Sequence, residues 1–192
     1  MLDNILRYDL EAFYYINISL ANKAFDFIIP IINEEETWII PIIGLVAVLL
    51  FRGRKKARTV LLLVLLSVAV TDVFCYRLLK PAVGRKRPSH TLEDARIVDG
   101  RRGTLGFPSN HAANITAAVT VLSYYYRFLL IPGIVLIGIV AFGRVYVGVH
   151  YPLDVICGAL IGMMIALTVI KAGSKLAPNF IGKIRSGNRK PG

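Results

Sequence analysis

"VICGALIGMMIALTVI", residues 155–170, contains no charged residue. With its flanks, 152–171, it reaches the roughly twenty apolar residues that an α-helix needs to cross the hydrocarbon core of a bilayer. Working outward, "FLLIPGIVLIGIVAF" (128–142) and "TVLLLVLLSVAV" (59–70) are equally free of charge, and "WIIPIIGLVAVLLF" (38–51) is a shorter run of the same kind. "HAANITAAVTVLSYYY" (111–126) is less apolar. Its small residues and Asn114 predict a helix that faces other helices rather than lipid. Apolar residues make up 55% of the 192, and the mean hydropathy of +0.60 is high for a soluble domain. The predicted fold is therefore all-α: an integral membrane helical bundle forming one domain over 1–192, with five transmembrane helices at 38–51, 59–79, 110–126, 128–145 and 152–171.

The N-terminal region, 1–36, breaks this pattern. Asp9, Glu11, Lys23 and Asp26 punctuate an aromatic-rich apolar run, which predicts amphipathic helices lying in or re-entering the interface, with a sixth, imperfect span as the alternative. No basic segment leads into a long apolar core, so no cleaved leader is expected. Cys75 and Cys157 fall inside predicted spans and read as packed thiols.

The net charge of +11 would suit nucleic acid if it were spread over a soluble face, but its distribution points elsewhere. Five Lys/Arg crowd "FRGRKKART" (51–59), and six more follow from Lys171 through the tail, 172–192. Both follow spans running in the same direction, as the positive-inside rule expects of cytoplasmic segments. Alternation then puts "YYYR" (124–127) inside and the long loop 80–109 outside. Eight Lys/Arg lie between Arg77 and Arg102, on the side where that rule disfavours them. Topology does not account for them, and a loop of this length in a compact protein is more often functional than idle.

Three pieces converge on that outer boundary: Lys80 with "RKRP" (85–88), "FPSNH" (107–111) and "GRVYVGVHYPLD" (143–154). Lys80, Arg87 and Arg144 would form a cationic cluster, and guanidinium forks match phosphate oxygens. Pro108-Ser109-Asn110 reads as a helix start, with Ser109 or Asn110 as N-cap and its open N–H groups favouring an anion. Pro152 suits the first turn of the last helix, so Asp154 lies close enough to accept a hydrogen bond from His150. Such a pair fixes the imidazole tautomer and leaves the other nitrogen able to attack. His111 is then available to protonate a leaving group. Together these parts describe phosphoryl transfer through a histidine, with no metal and no cofactor.

The three pieces resemble the signature of the type 2 phosphatidic acid phosphatase superfamily, which also includes bacterial acid phosphatases and vanadium haloperoxidases. Its first motif, Lys, six residues, Arg-Pro, is matched by "KPAVGRKRP" (80–88). Its second, Pro-Ser-Gly-His, reads "PSNH" (108–111), and its third, Ser-Arg, five residues, His, three residues, Asp, is "GRVYVGVHYPLD" (143–154). The resemblance covers about 59–171. It implies that His150 attacks phosphorus, that Asp154 orients it, and that His111 protonates the leaving oxygen and later activates water. It further implies that Lys80, Arg87, Arg144, Ser109 and nearby backbone amides, with Asn110 in the place of the family's glycine, hold the phosphoryl oxygens. Gly143 departs from the family's serine.

Taken singly, each residue has an ordinary explanation. Asp154 suits a helix's first turn, Arg144 a snorkelling anchor, and Lys80 and Arg87 a charged loop. One phosphate site explains them together with the charge on the outer side. Asp72 is expected to support the basic cluster, and His90 to be a loop histidine. Arg85 and Lys86 are candidate auxiliary phosphate contacts, and Arg96, Arg101 and Arg102 candidate headgroup contacts. The function implied is a lipid phosphatase of the bacterial inner membrane, facing the periplasm or cell exterior. Its partners would be the bilayer and a phosphorylated lipid: undecaprenyl pyrophosphate, lipid A 1-phosphate or phosphatidylglycerophosphate. The alternatives are a lipid phosphotransferase using the same histidine, and a non-catalytic lipid- or anion-binding membrane protein.

Overall fold

The computed structural model describes residues 2–98, 100 and 103–176. Arg101, Arg102 and most of the basic tail lie outside the described residues. Among those described, secondary structure is helical, with a single isolated bridge pairing Lys86 with Leu105. α1 (Leu2–Tyr14) runs through one π-helical turn, Tyr15–Ser19, towards α2 (Lys23–Asn33), and the two arms meet at 113°. Asn22 caps α2 by accepting a hydrogen bond from Phe25 N–H. The N-terminal region is thus two short helices with a sharp break, a form that fits either the re-entrant helices or the imperfect sixth span expected from its sequence.

α3 (Glu35–Arg52) leads to α4 (Lys55–Val73), which continues through a π-helical turn, Phe74–Leu79, into the single turn α5 (Lys80–Val83). Gly84, at φ 67°, adopts the left-handed conformation that ends it. The outer loop follows, then α6 (Asn110–Tyr125), α7 (Leu130–Tyr146) and α8 (Pro152–Leu176). All five predicted spans are helices. Three, Lys55–Val83, Arg127–Tyr146 and Pro152–Leu176, are long and apolar enough to cross a membrane, or four if the bent N-terminal pair counts as one span. α6 has only 16 residues and is central, packed against α4, α7 and α8. That position explains why its sequence is small and polar where a lipid-facing helix would be aliphatic. Large apolar residues such as Phe128, Ile131, Ile134 and Leu160, on α7 and α8 and their approach, are instead exposed on the bundle's outside.

Of three apolar clusters among the described residues, two sit at opposite ends of the bundle. Val60, Leu63, Ala117, Val121, Tyr125, Ala166 and Ile170 fill one end. Lys56 lies over the Tyr126 ring there, at 4.8 Å, so the basic 51–59 turn and "YYYR" share that end. Phe13, Ala112, Val145, Tyr151 and Val155 fill the other, beneath the long loop.

α6 and α8 approach through glycines four residues apart. A Cβ on Gly158 would stand 2.5 Å from the Ser109 carbonyl oxygen, and one on Gly162 would collide with the Ala113 carbonyl. This small-xxx-small spacing is how helices in membranes bring their backbones together. Gly162→Val is expected to destabilise the fold by on the order of 3 kcal/mol, since the blocking atoms are backbone and cannot move aside. Gly138→Ala, with nothing within 4 Å of the added carbon, should leave stability unchanged or slightly raised. Thermal unfolding in detergent checks both, and a Gly162→Val midpoint equal to wild type would refute the close-packing account.

Candidate active site

The three sequence pieces meet at the end of the bundle capped by the long loop. Lys80, at the start of α5, points its ammonium into the turn before α6 and donates to the carbonyls of Pro108 (2.8 Å), Gly106 (3.2 Å) and Leu105 (3.5 Å). An ammonium has three protons, so Lys80 organises this turn while adding its charge to the site. Arg87 braces the same turn, its Nε donating to the Leu105 carbonyl at 3.1 Å. Ser109 is the N-cap of α6, its hydroxyl accepting from Ala112 N–H and its own N–H donating to the Asp154 carbonyl at 2.9 Å. That last bond ties the head of α6 to the head of α8.

His150 and Asp154 face each other across the first turn of α8, Nδ1 to Oδ2 at 3.4 Å, with 1% and 0% of their side chains exposed. Asp154 Oδ2 also accepts the Tyr151 N–H at 3.0 Å, the reach-back half of a capping box. Gly106 lets the loop close over this pair, since a Cβ there would stand 3.1 Å from Asp154 Oδ2. Arg144, fully buried at the end of α7, donates from Nη1 to the Asn33 carbonyl at 3.3 Å. Three cations around one buried imidazole make a region that favours an anion of phosphate type.

That surrounding charge sets the histidine's protonation. Burial first, then the positive charges of Arg87, Arg144 and Lys80, hold His150 well below the usual imidazole range, against the pull of a hydrogen bond to the Gly106 backbone. That direction favours the neutral imidazole at neutral pH. When unfolded, the same histidine takes up a proton near pH 6.5. As the pH falls below about 6.5 the unfolded chain therefore binds a proton that the folded chain refuses, and stability declines. Thermal midpoints in detergent should fall more steeply between pH 7 and pH 5 for wild type than for His150→Gln. Parallel profiles would contradict a neutral buried imidazole.

Not every candidate goes where the sequence suggested. Asp72 serves α6 rather than the cations, accepting from Asn110 Nδ2 at 2.8 Å and Asn114 Nδ2 at 3.0 Å. Asn110 therefore turns its amide towards α4, which accommodates a side chain where the family has glycine. Arg96 is held by Asp26 (2.7 and 2.8 Å) and the Asn17 carbonyl (2.9 Å), fastening the loop to α2 rather than reaching for a headgroup. Arg85 bridges Asp9 and Asp154, so carboxylates occupy the guanidinium that the sequence offered to phosphate. Lys86 and His90 are exposed, and His90 sits in a single 3-10 turn, Pro88–His90. His111 is half-buried in the first turn of α6. Cys75 and Cys157 are free thiols.

Sequence reasoning missed the N-terminal contribution. Asp9 accepts from Leu153 N–H at 2.7 Å. Asn17 bonds the Arg96 and Tyr146 carbonyls at 2.9 and 2.7 Å. Asn33 packs so tightly on Gly143 that a Cβ there would collide with its amide, so the space of the family's serine hydroxyl is filled by Asn33. The available signal was charge and amide groups in an otherwise apolar run.

Long apolar helices bundled about a buried histidine–aspartate pair that lies among cations at one end are the build of an integral membrane protein. The PAP2 superfamily profile matches residues 43–177, and the chain belongs to that superfamily. It is 37% identical over 115 residues to a lipid A 4'-phosphatase of Bacteroides thetaiotaomicron, covering 56% of this chain and 51% of that one. It is 30% identical over 143 residues to an undecaprenyl-diphosphatase of Sulfolobus acidocaldarius, covering 74% and 66%. The chain thus spans about half to two thirds of the length of these two relatives. The crystal structure of a phosphatidylglycerolphosphate phosphatase from Bacillus subtilis shares the fold with a TM-score of 0.68 at 21% identity, covering 90% of this chain and 88% of that one. LpxE of Aquifex aeolicus gives 0.63 at 24% identity, covering 84% and 94%.

Proposed function

We propose that this protein is a metal-independent lipid phosphatase that removes a phosphate or pyrophosphate terminal group from a membrane lipid on the extracytoplasmic face. The observation that carries the reading is the buried His150 held by Asp154, with Lys80, Arg87 and Arg144 about it. His150 attacks phosphorus as the bond to the lipid oxygen breaks, His111 giving that oxygen its proton. Water then attacks the phosphohistidine, His111 takes its proton, the N–P bond breaks and inorganic phosphate leaves. The three cations and the N–H groups heading α6 hold the oxygens on which charge builds.

The site lies at one end of the long apolar helices, which favours substrates that already reside in the bilayer. Relatives named for lipid A and for undecaprenyl diphosphate support that substrate class. Undecaprenyl pyrophosphate is the first substrate to offer, with lipid A 1-phosphate second. Charge supports the extracytoplasmic location: the basic 51–59 turn and "YYYR" at the opposite end fit cytoplasmic segments, with the site then facing the periplasm or cell exterior.

The test is phosphate release by purified protein in detergent with excess chelator, on undecaprenyl pyrophosphate, phosphatidylglycerophosphate and lipid A 1-phosphate in parallel. Release on at least one is expected. Strict dependence on added divalent ion would overturn the proposed chemistry. Labelled phosphoryl recovered on a lipid or sugar acceptor instead of in free phosphate would make the protein a transferase.

A further inference from the structure

Asp9 lies on α1, well outside the part of the chain matched by the superfamily, and its carboxylate is wholly buried. Both of its oxygens are used. Oδ1 accepts the Leu153 N–H at 2.7 Å, capping α8 from a different helix, and Oδ2 accepts Arg85 Nη2 at 2.5 Å. Arg85 turns its other nitrogen, Nη1, to Asp154 Oδ1 at 2.8 Å, and its guanidinium lies over the Tyr151 ring at 4.1 Å. One guanidinium fork thus joins two buried carboxylates, and the second of these is the partner of His150.

The charges in this chain of contacts decide what Asp9 does. Arg85 paired with Asp154 alone would cancel the carboxylate on which His150 depends. With Asp9 included, the three groups carry a net charge of −1, and the negative charge facing the imidazole is restored. We infer that Asp9 is a positioning residue for the His150–Asp154 pair: it offsets Arg85 and fixes the first turn of α8, making the N-terminal helix α1 a working part of the active site. The inference rests on the phosphatase reading for its kinetic consequence, though not for its electrostatic one.

Asp9→Asn removes the charge, and the NH₂ it turns towards Arg85 sets donor against donor there. The amide oxygen it introduces still caps Leu153, while the three-group sum becomes zero. The expected result is a kcat lower by roughly 10- to 100-fold with KM for the lipid little changed, since the phosphate-holding cations are untouched. Adding Arg85→Gln returns the sum to −1. The carbonyl of the introduced glutamine can accept from the amide introduced at position 9 while its nitrogen donates to Asp154, so the bridge is rebuilt without the two charges. The double variant should recover most of the lost kcat. If α1 were only packing, the double variant would be no better than Asp9→Asn, and that result would overturn the inference.

A second readout does not need turnover. Nitrogen-15 NMR of labelled histidine reports the His150 titration. Lys80, Arg87 and Arg144 face this imidazole in all variants, as does Asp154. Losing the Asp9 charge should lower the His150 pKa, and the double variant should return it. An unchanged titration in Asp9→Asn would also overturn the inference. If wild type releases no phosphate from any lipid, the phosphatase reading fails and the imidazole titration alone decides the role of Asp9.

Discussion

Replacing His150 with alanine is expected to lower phosphate release by at least about 10⁴-fold, while the protein stays folded and still holds an oxyanion. The size of the effect follows from what the imidazole supplies. In the proposed mechanism one of its ring nitrogens is the attacking atom. In the same mechanism His111, in the first turn of α6, moves the protons. The cations are untouched by the change, so His150→Ala should bind inorganic phosphate with its wild-type Kd in an equilibrium binding measurement. The lost step is directly visible: wild type quenched during turnover of a labelled lipid should carry phosphoryl that is stable in alkali and lost in acid, the behaviour of an N–P bond. His150→Ala should carry none. Wild-type rates in His150→Ala would remove the proposed nucleophile, and equal labelling of the two proteins would move the intermediate to another residue. His150→Gln serves as the folding control, because it fills most of the buried volume.

Much of this site is legible in the amino-acid sequence alone, for a physical reason. A phosphoryl-transfer centre at the end of a membrane bundle needs charges where the bilayer disfavours them. The apolar background therefore makes Lys80, Arg87, Arg144, His150 and Asp154 conspicuous. The helix starts at Ser109 and Pro152 were legible because capping is local, settled within one turn of sequence. The α6–α8 contact was half legible: small residues announced that α6 faces neighbours, but which glycines would meet which carbonyls depends on a helix rotation that no short window fixes.

What stayed hidden was long-range pairing. Asp9 and Leu153 are 144 positions apart, and Asn17 and Tyr146 are 129 apart. Nothing in either local sequence names the partner. Arg85 illustrates the limit most clearly, because an arginine two residues before a candidate phosphate-binding arginine reads as another phosphate contact. Only the fold reveals that two buried carboxylates reach it first. Gly143 is similar: its departure from the family's serine looked like a lost hydroxyl, while the structure shows the space occupied by Asn33 from α2. In both cases α1 and α2 supplied the missing partner, and their role was invisible because amphipathic helices at an interface are written with the same residues as helices that bind one.

The second large effect is expected at Asp154, and its form distinguishes orientation from simple charge. Both carboxylate oxygens accept hydrogen bonds: Oδ1 from Arg85, and Oδ2 from the Tyr151 N–H while facing His150 Nδ1. An asparagine must put an NH₂ in one of those places. Turned towards Arg85, it sets donor against donor and releases the guanidinium. Turned towards His150, it donates to Nδ1 and drives the ring proton to Nε2, so the nitrogen that should attack is protonated. Asp154→Asn should therefore lower kcat by roughly 10³- to 10⁴-fold, the scale seen when a catalytic histidine is held in the wrong tautomer. Asp154→Ala imposes no tautomer. It should keep a higher kcat than Asp154→Asn, although it removes the capping and ion-pair contacts altogether and is expected to be less stable by on the order of 2 kcal/mol. Activity and stability thus rank the two variants in opposite orders. Kinetics paired with thermal unfolding in detergent tests this ranking. If Asp154→Asn proves the more active as well as the more stable, Asp154 acts by holding the fold, and the tautomer assignment at His150 has to be abandoned.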